Sequence, residues 1–255
     1  MPGPRPLVVK LGGTTIAQER GVLVEVAAVA RERDVVIVHG GGKRLSEWLD
    51  RLGVEHRFRE GLRVTDESGL EVALAVLRGV VNAEVVTELR RAGADAVGLS
   101  GLDGGLLAGE RVPGLGRVCS VAGVRGALLQ ALFLAGFVPV VAPLAADGGG
   151  AICNVNADDA AAGLAAGIGA DLVLLTDTDG VRDATGARIA SLSAADIEPL
   201  IAEGVIAGGM MPKVRAAVRA LVAPESVAVI ADGRAEGALA AALGDSGRGT
   251  RIGAA

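Results

Sequence analysis

Leu7-Val8-Val9-Lys10-Leu11-Gly12-Gly13, followed later by Val35-Val36-Ile37-Val38-His39-Gly40-Gly41-Gly42, decides the fold of this chain. Each stretch is an apolar, β-branched run that stops at glycines. Continuous apolar runs of this length read as strands buried on both faces. Between them, residues 19–33 set Val, Leu and Ala at helical spacing against Glu and Arg. Strand, helix and strand in so short a span form the βαβ unit of a parallel sheet.

Outward from that unit, residues 94–99, 138–142, 172–176 and 227–231 repeat the strand signal, and an Ala-rich helix closes the series at residues 235–243. The expected fold class is α/β with a central, mostly parallel sheet. Residues 106–121 are Gly-rich and alternate weakly, and residues 145–155 carry Gly148, Gly149 and Gly150. Both read as hairpins forming a lid or rim over the strand ends. No linker divides the chain, so one domain over residues 1–255 is expected, with a division of labour near Ala145 between residues 1–145 and 146–255.

Composition removes several function classes. Three Phe, one Trp and no Tyr leave the core to Ala, Val, Leu and Ile and supply few platforms for stacking bases. Net charge is −5, and no basic run exceeds two adjacent residues. Neither a nucleic acid nor a membrane surface is therefore expected as a partner. The N-terminal segment holds no apolar stretch long enough for a signal peptide or a span, so a cytoplasmic location is expected. Cys119 and Cys153 lie far apart in no metal-like spacing and are expected as two separate buried thiols, with nothing calling for a disulfide. With only His39 and His56 as histidines, no zinc site is expected.

The glycine turns carry the chemistry. Glycine lets backbone N–H groups approach an anion without a Cβ in the way, and a helix opening near Lys43 adds its free donors and partial positive charge. Two such turns at the carboxyl ends of neighbouring strands would face one crevice. Neither is GxxxxGK[ST], and no GxGxxG follows the first strand. Lys10, the last position of the apolar strand LVVK beside the glycines, reads either as a strand-end lysine reaching solvent or as a cation aimed at phosphoryl oxygens. Gly208-Gly209-Met210-Met211-Pro212-Lys213 opens a helix over residues 214–222. Lys213 then sits in its first turn against the macrodipole, where a nearby phosphate would explain it. Asn154-Val155-Asn156-Ala157-Asp158 leads into an Ala-rich helix. Asn156 or Asp158 can cap that helix, or the polar side chains can face a ligand. The loop that runs from Asp177 through Asp179, Gly180, Val181 and Arg182 follows a strand and reads either as an acidic turn or as a nucleotide-binding loop.

Taken in order, VVKLGG (8–13), VIVHGGG (36–42), EGLRVTD (60–66), VGLSGLDGG (97–105), NVNADDAA (154–161), LLTDTDGV (174–181) and GGMMPK (208–213) resemble the amino-acid kinase family, and within it the branch that acts on N-acetyl-L-glutamate. The resemblance spans almost the whole chain. It implies the three-layer αβα sandwich of the carbamate kinase-like fold, with an acyl-amino-acid lobe (residues 1–145) and an ATP lobe (residues 146–255). It implies transfer of the γ-phosphoryl group of ATP to the γ-carboxylate of N-acetyl-L-glutamate, with Mg2+ carried on the nucleotide phosphates. Lys10 and Lys213 would stabilise the transferring charge and Asp158 would hold both lysines. Gly12, Gly13 and Gly41 would donate to phosphate oxygens. Arg63 would clamp the substrate's α-carboxylate, with Gly41, Gly42 and Asn154 beside it. Asp177, Gly180, Val181, Arg182, Gly208 and Gly209 would meet the nucleotide.

A carboxylate is already a nucleophile at neutral pH, so this chemistry needs no general base and consists of positioning and charge neutralisation. Thr14 and Thr15 depart from the family pattern, and the chain lacks the N-terminal helix of arginine-inhibited members, so a homodimer without arginine feedback is expected. The rivals are a kinase of aminoadipate or glutamate held on a carrier protein, another kinase of the family, and a nucleotide-binding protein of this fold without activity. Val64 and Thr65 favour the free acetylated substrate over the carrier-bound one.

Overall fold

The computed structural model describes residues 4–12, 16–59, 61–244 and 248–254. The first βαβ unit is present: β1 (Leu7–Leu11), α1 (Ile16–Val29) and β2 (Val35–His39), with β1 and β2 parallel and Leu7 opposite Val35. There follow α2 (Gly42–Leu52), the short hairpin β3 (Arg57–Arg59) and β4 (Leu62–Val64), α3 (Glu67–Ala73), a π-helical segment (Leu74–Val81), α4 (Asn82–Arg91) and β5 (Ala96–Ser100). Next come β6 (Leu107–Arg111), β7 (Val118–Val124), α5 (Ala127–Leu134), β8 (Val138–Ala142), β9 (Leu144–Asp147), β10 (Ile152–Val155) and α6 (Ala157–Ile168). The chain continues through β11 (Asp171–Thr176), β12 (Ser191–Ser193), α7 (Ala194–Ala202), α8 (Met210–Arg219), β13 (Val227–Asp232), α9 (Ala238–Leu243) and β14 (Thr250–Gly253).

Eight of these strands form one sheet in the order β12-β14-β13-β11-β1-β2-β8-β5. All its pairings are parallel except β13 with β14. Strand alternation splits its side chains between two apolar layers. Leu7, Val9 and Leu11 join Val22, Leu23 and Val26 of α1, Val85 and Leu89 of α4 and Leu239 of α9. Val8, Val36, Leu172 and Ile230 face Ala161 and Leu164 of α6 and Val214 and Ala217 of α8. Helices thus cover both faces, which is the expected three-layer sandwich. The same alternation sends Lys10 out on the Val8 face, toward α6.

The two expected hairpins exist, β6 with β7 and β9 with β10, but they are not separate flaps. β6 pairs β9 and β7 pairs β10, so the four strands close into a small barrel. Closure satisfies edges that a free hairpin would leave open. It also corrects the reading of the cysteines. Cys119 on β7 and Cys153 on β10 are paired as a disulfide, their Cα atoms 5.7 Å apart. Their separation of 34 residues hides that β7 and β10 are neighbouring strands.

The helix α6 ties barrel to sheet at close range. A Cβ at Gly163 would lie 2.6 Å from Val121 Cγ1, and one at Gly167 2.5 Å from Val124 Cβ. Gly163→Ala would add about 1 kcal/mol of intrinsic helix propensity, yet the clash is with a buried β-branched side chain that cannot swing away. Overpacking of this kind costs roughly 1–3 kcal/mol. A lower urea midpoint for Gly163→Ala is therefore expected, and an unchanged or higher midpoint would show slack at this seam.

Candidate active site

Because β1 and β2 are adjacent and parallel, their glycine turns emerge side by side, with the Gly40 N–H donating to the Leu11 carbonyl at 2.8 Å. β1 also pairs β11 on its other edge, so this is where the strand order reverses, the usual crevice of an open α/β sheet. A cleft of about 340 Å³ opens there, and Lys10, Gly12, Gly41, Gly42, Arg63, Asn154 and Asp158 all line it. The expected Gly13 lies outside the described residues.

Asp158 is the second residue of α6. Of the two candidate caps it is Asn156 that serves, its Oδ1 accepting from the Asp158 and Asp159 N–H groups at 2.8 and 3.2 Å. The Asp158 carboxylate is thereby free to face the lysines. Its Oδ1 stands 2.8 Å from Lys10 Nζ and its Oδ2 2.8 Å from Lys213 Nζ. Burial opposes its ionisation most strongly, but the Lys10 and Lys213 ammonium groups outweigh that and hold its pKa at about 2. The N-terminal end of α6 favours the same charge. Lys213 does fall in the first turn of α8, and its compensation in the structure is this carboxylate. A Cβ at Gly12 would sit 2.1 Å from Lys10 Nζ, so glycine there leaves room for the ammonium to turn toward α6.

Opposite this cluster stands Arg63 on β4. It donates from Nη2 to the Gly42 carbonyl at 3.0 Å and to Ser46 Oγ at 2.7 Å, and its guanidinium lies over the Phe58 ring at 4.6 Å. Nη1 is buried and has no hydrogen-bond partner among the described residues. A fixed guanidinium with an unused donor is a carboxylate or phosphate site. Burial lowers its pKa from the ordinary arginine value, while Asp50 acts the other way. Asn154 on β10 donates from Nδ2 to Thr65 Oγ1 at 3.2 Å, which fixes its amide at the cleft wall. Sequence reasoning missed the supports: Phe58, Ser46, Lys43 at the start of α2, and the positioning use of Thr65. Phe58 and Arg63 are opposite each other on the β3–β4 hairpin, a pairing that no sequence signal announced.

The remaining expected residues lie away from this cleft. Asp177 to Arg182 follow β11 at the same sheet edge, since β11 runs parallel to β1. Within that loop two members are taken up by packing. Val181 is buried and its N–H donates to Thr250 Oγ1 at 2.8 Å, and a Cβ at Gly180 would meet the same oxygen at 2.5 Å. Arg182 pairs with Asp179 at 3.0 Å, and Asp177 is exposed. Gly208, with φ +55°, and Gly209 immediately precede α8, and a Cβ on either would meet none of the described residues within 4 Å. Gly208 and Gly209 therefore leave open backbone just ahead of Lys213, but neither they nor the loop after β11 are walls of the cleft.

A family model described as the amino acid kinase family matches residues 5–232. The chain is 48% identical to the acetylglutamate kinase of Rubrobacter xylanophilus over 97% of each chain. It is 44% identical to the acetylglutamate kinase of Solibacter usitatus over 96% of this chain and 98% of that one. Carbamate kinase from Giardia lamblia bound to citric acid superimposes with a TM-score of 0.68 at 16% identity, covering 99% of each chain.

The shared carboxylate makes a stability prediction. Its folded pKa lies below the ordinary value of 3.8. Its contribution is thus full above pH 3.8 and lost as pH falls toward 2, an effect of about 2 kcal/mol at roughly 1.4 kcal/mol per unit. Asp158→Asn leaves two ammonium groups facing each other and is expected to cost about 3 kcal/mol at neutral pH. It should also remove the acid-dependent loss between pH 4 and 2. Chemical denaturation across that range checks both, and a variant as stable as the parent would mean the lysines find solvent freely.

Proposed function

The chain belongs to the amino acid kinase family, and from that membership we propose that it phosphorylates the γ-carboxylate of N-acetyl-L-glutamate with ATP, a step of arginine biosynthesis. The observation that carries this reading is the buried carboxylate shared by two lysines, Lys10 and Lys213, at a cleft floored by glycine turns. A γ-carboxylate oxygen attacks the γ-phosphorus, the bond from phosphorus to the β,γ-bridging oxygen breaks, and ADP leaves with that electron pair. The product is the acyl phosphate, N-acetyl-L-glutamyl 5-phosphate, and no proton moves.

In this reading Lys10 and Lys213 neutralise charge on the transferring group, and Asp158 keeps the two ammonium groups on one line. The backbone donors of Gly12, Gly41 and, in the part of the turn beyond the described residues, Gly13 hold phosphate oxygens. Arg63 takes the α-carboxylate with its unused Nη1, beside Gly42 and Asn154. Asp177, Gly180, Val181, Arg182, Gly208 and Gly209 contact the nucleotide through the loop after β11 and the turn before α8. Mg2+ enters with ATP on the phosphates. Both Asp158 oxygens are already 2.8 Å from ammonium groups, so the chain's cations and the metal share the neutralisation rather than that carboxylate ligating it. A homodimer in the cytoplasm completes the proposal, and residues 1–145 and 146–255 divide the acyl-amino acid from the nucleotide.

ADP release is measured with ATP, Mg2+ and N-acetyl-L-glutamate, with glutamate and aminoadipate in parallel. Turnover is expected with the acetylated acid alone. Lys213→Ala should lower kcat by about 10²–10³-fold, the usual scale for one stabilising group at a developing charge. No turnover with any free acid would sink the substrate assignment in favour of a carrier-held one, or of a binding role if that too is inert. Arg63→Lys keeps the charge but loses the fork. It should raise the KM for N-acetyl-L-glutamate about tenfold or more with a smaller change in kcat, and an unaltered KM would remove Arg63 from the acid site.

A further inference from the structure

One buried polar cluster is left unused by this chemistry. His39 ends β2 and is 1% exposed, and Asn82, the first residue of α4, is likewise 1% exposed. Asn82 Nδ2 lies 2.9 Å from the Val140 carbonyl, 3.2 Å from the Leu99 carbonyl and 3.1 Å from His39 Nε2. Carbonyl oxygens only accept, so the NH2 side of the amide must face them. Asn82 Oδ1 turns instead toward Arg78 Nη1, 3.5 Å away. A Cβ at residue 98 would sit 2.2 Å from that oxygen, and the residue there is Gly98.

This orientation decides the histidine. Nε2 faces an amide nitrogen that carries two hydrogens and cannot accept, so an Nε2 proton would have no partner there and the ring proton sits on Nδ1. Nδ1 is 2.8 Å from the Gly40 carbonyl and donates to it. The peptide between Gly40 and Gly41 is trans, as are all described peptides, so its N–H points opposite to its C=O. The carbonyl is drawn to the His39 side of the sheet, and the Gly41 N–H is driven the other way, toward the face of Lys10 and the cleft. The turn has little freedom to relax. Gly40 N–H is held by Leu11, Gly41 has φ +130°, and a Cβ on Gly41 would meet Leu77 Cδ2 at 2.8 Å, an atom of the π-helical segment. Segments of π-helix recur at functional sites.

We propose that His39 is a positioning residue for the phosphoryl transfer: its Nδ1–H anchors the Gly40 carbonyl and thereby aims the Gly41 amide at the transferring group, with Asn82 selecting the tautomer. This rests on the kinase reading given above. Burial, the largest influence, lowers the His39 pKa to about 4, with the Gly40 bond raising it and Arg78 lowering it, so the ring is neutral where the enzyme works.

The tautomer is read directly by 15N NMR of the imidazoles, which are simple to assign because the chain has two histidines. A protonated Nδ1 and bare Nε2 on His39 are expected at pH 7.5, and the opposite tautomer would overturn the proposal. Two variants then test the consequence. Asn places its Nδ2 where the imidazole carries Nδ1, so His39→Asn keeps the donor to Gly40, whereas His39→Leu removes it. Among folded protein, His39→Leu should lose about 30–100-fold in kcat, a mispositioned donor being worth less than the 10²–10³ of an absent one. The KM for N-acetyl-L-glutamate should stay within about threefold, and His39→Asn should recover kcat to within about fivefold of the parent. A residue that only supports the fold would lower the melting temperature of both variants and leave kcat per folded molecule alone, and that result would also overturn the proposal. If the parent itself turns over no acid, the kinase reading fails separately. Affinity for AMP-PNP, weakened in His39→Leu and restored in His39→Asn, then decides the role of His39.

Discussion

Two ammonium groups on one buried carboxylate are the constraint around which the molecule is arranged. Lys10 comes from β1, Asp158 from α6 and Lys213 from α8, and each Nζ stands 2.8 Å from one oxygen of Asp158. A carboxylate in a poorly solvated place is costly unless paired, so the three elements cannot shift independently. Asn156 contributes by taking over the cap of α6, which releases Asp158 from that task. Gly12 contributes by leaving the volume through which Lys10 turns.

The same economy of space recurs at the seams. Gly163 and Gly167 bring α6 against the barrel strand β7. Arg219 of α8 pairs with Asp159, and Asp159 accepts from the Val121 N–H at 2.8 Å, so α8, α6 and β7 are clamped together just beyond the lysine cluster. On the opposite side of the sheet, Asn82 links β2, β5 and β8 through His39 and two carbonyls. Small residues and buried polar groups thus hold the cleft from both faces, in a core almost without aromatic side chains.

The sheet was legible because its strands are buried on both faces and so read as unbroken apolar runs, as at residues 138–142 and 172–176. The three-layer sandwich was expected from the family resemblance, and alternation along β1 is what realises it in the structure. The barrel was not legible, since weak Gly-rich alternation marks a hairpin but not which hairpin it will pair with. The cysteines were misjudged for the same reason, because chain separation says nothing about adjacent strands that return from different hairpins. At the site, lysines and glycines out of keeping with their local surroundings stood out. Phe58, Thr65 and Asn82 did not, because their sequence neighbours give no sign of the side chains they meet.

What the sequence by itself determined was the α/β layout, the two glycine turns and the unusual lysines, since these depend on local periodicity and on residues whose conformational or electrostatic preferences are strong. Only the tertiary structure decided which of Asn156 and Asp158 caps α6, which residue neutralises Lys213, and how Gly40 is turned. Each of those is a choice between hydrogen-bond partners far apart in the chain, and such a choice has no energy until the strands and helices that carry the partners have packed.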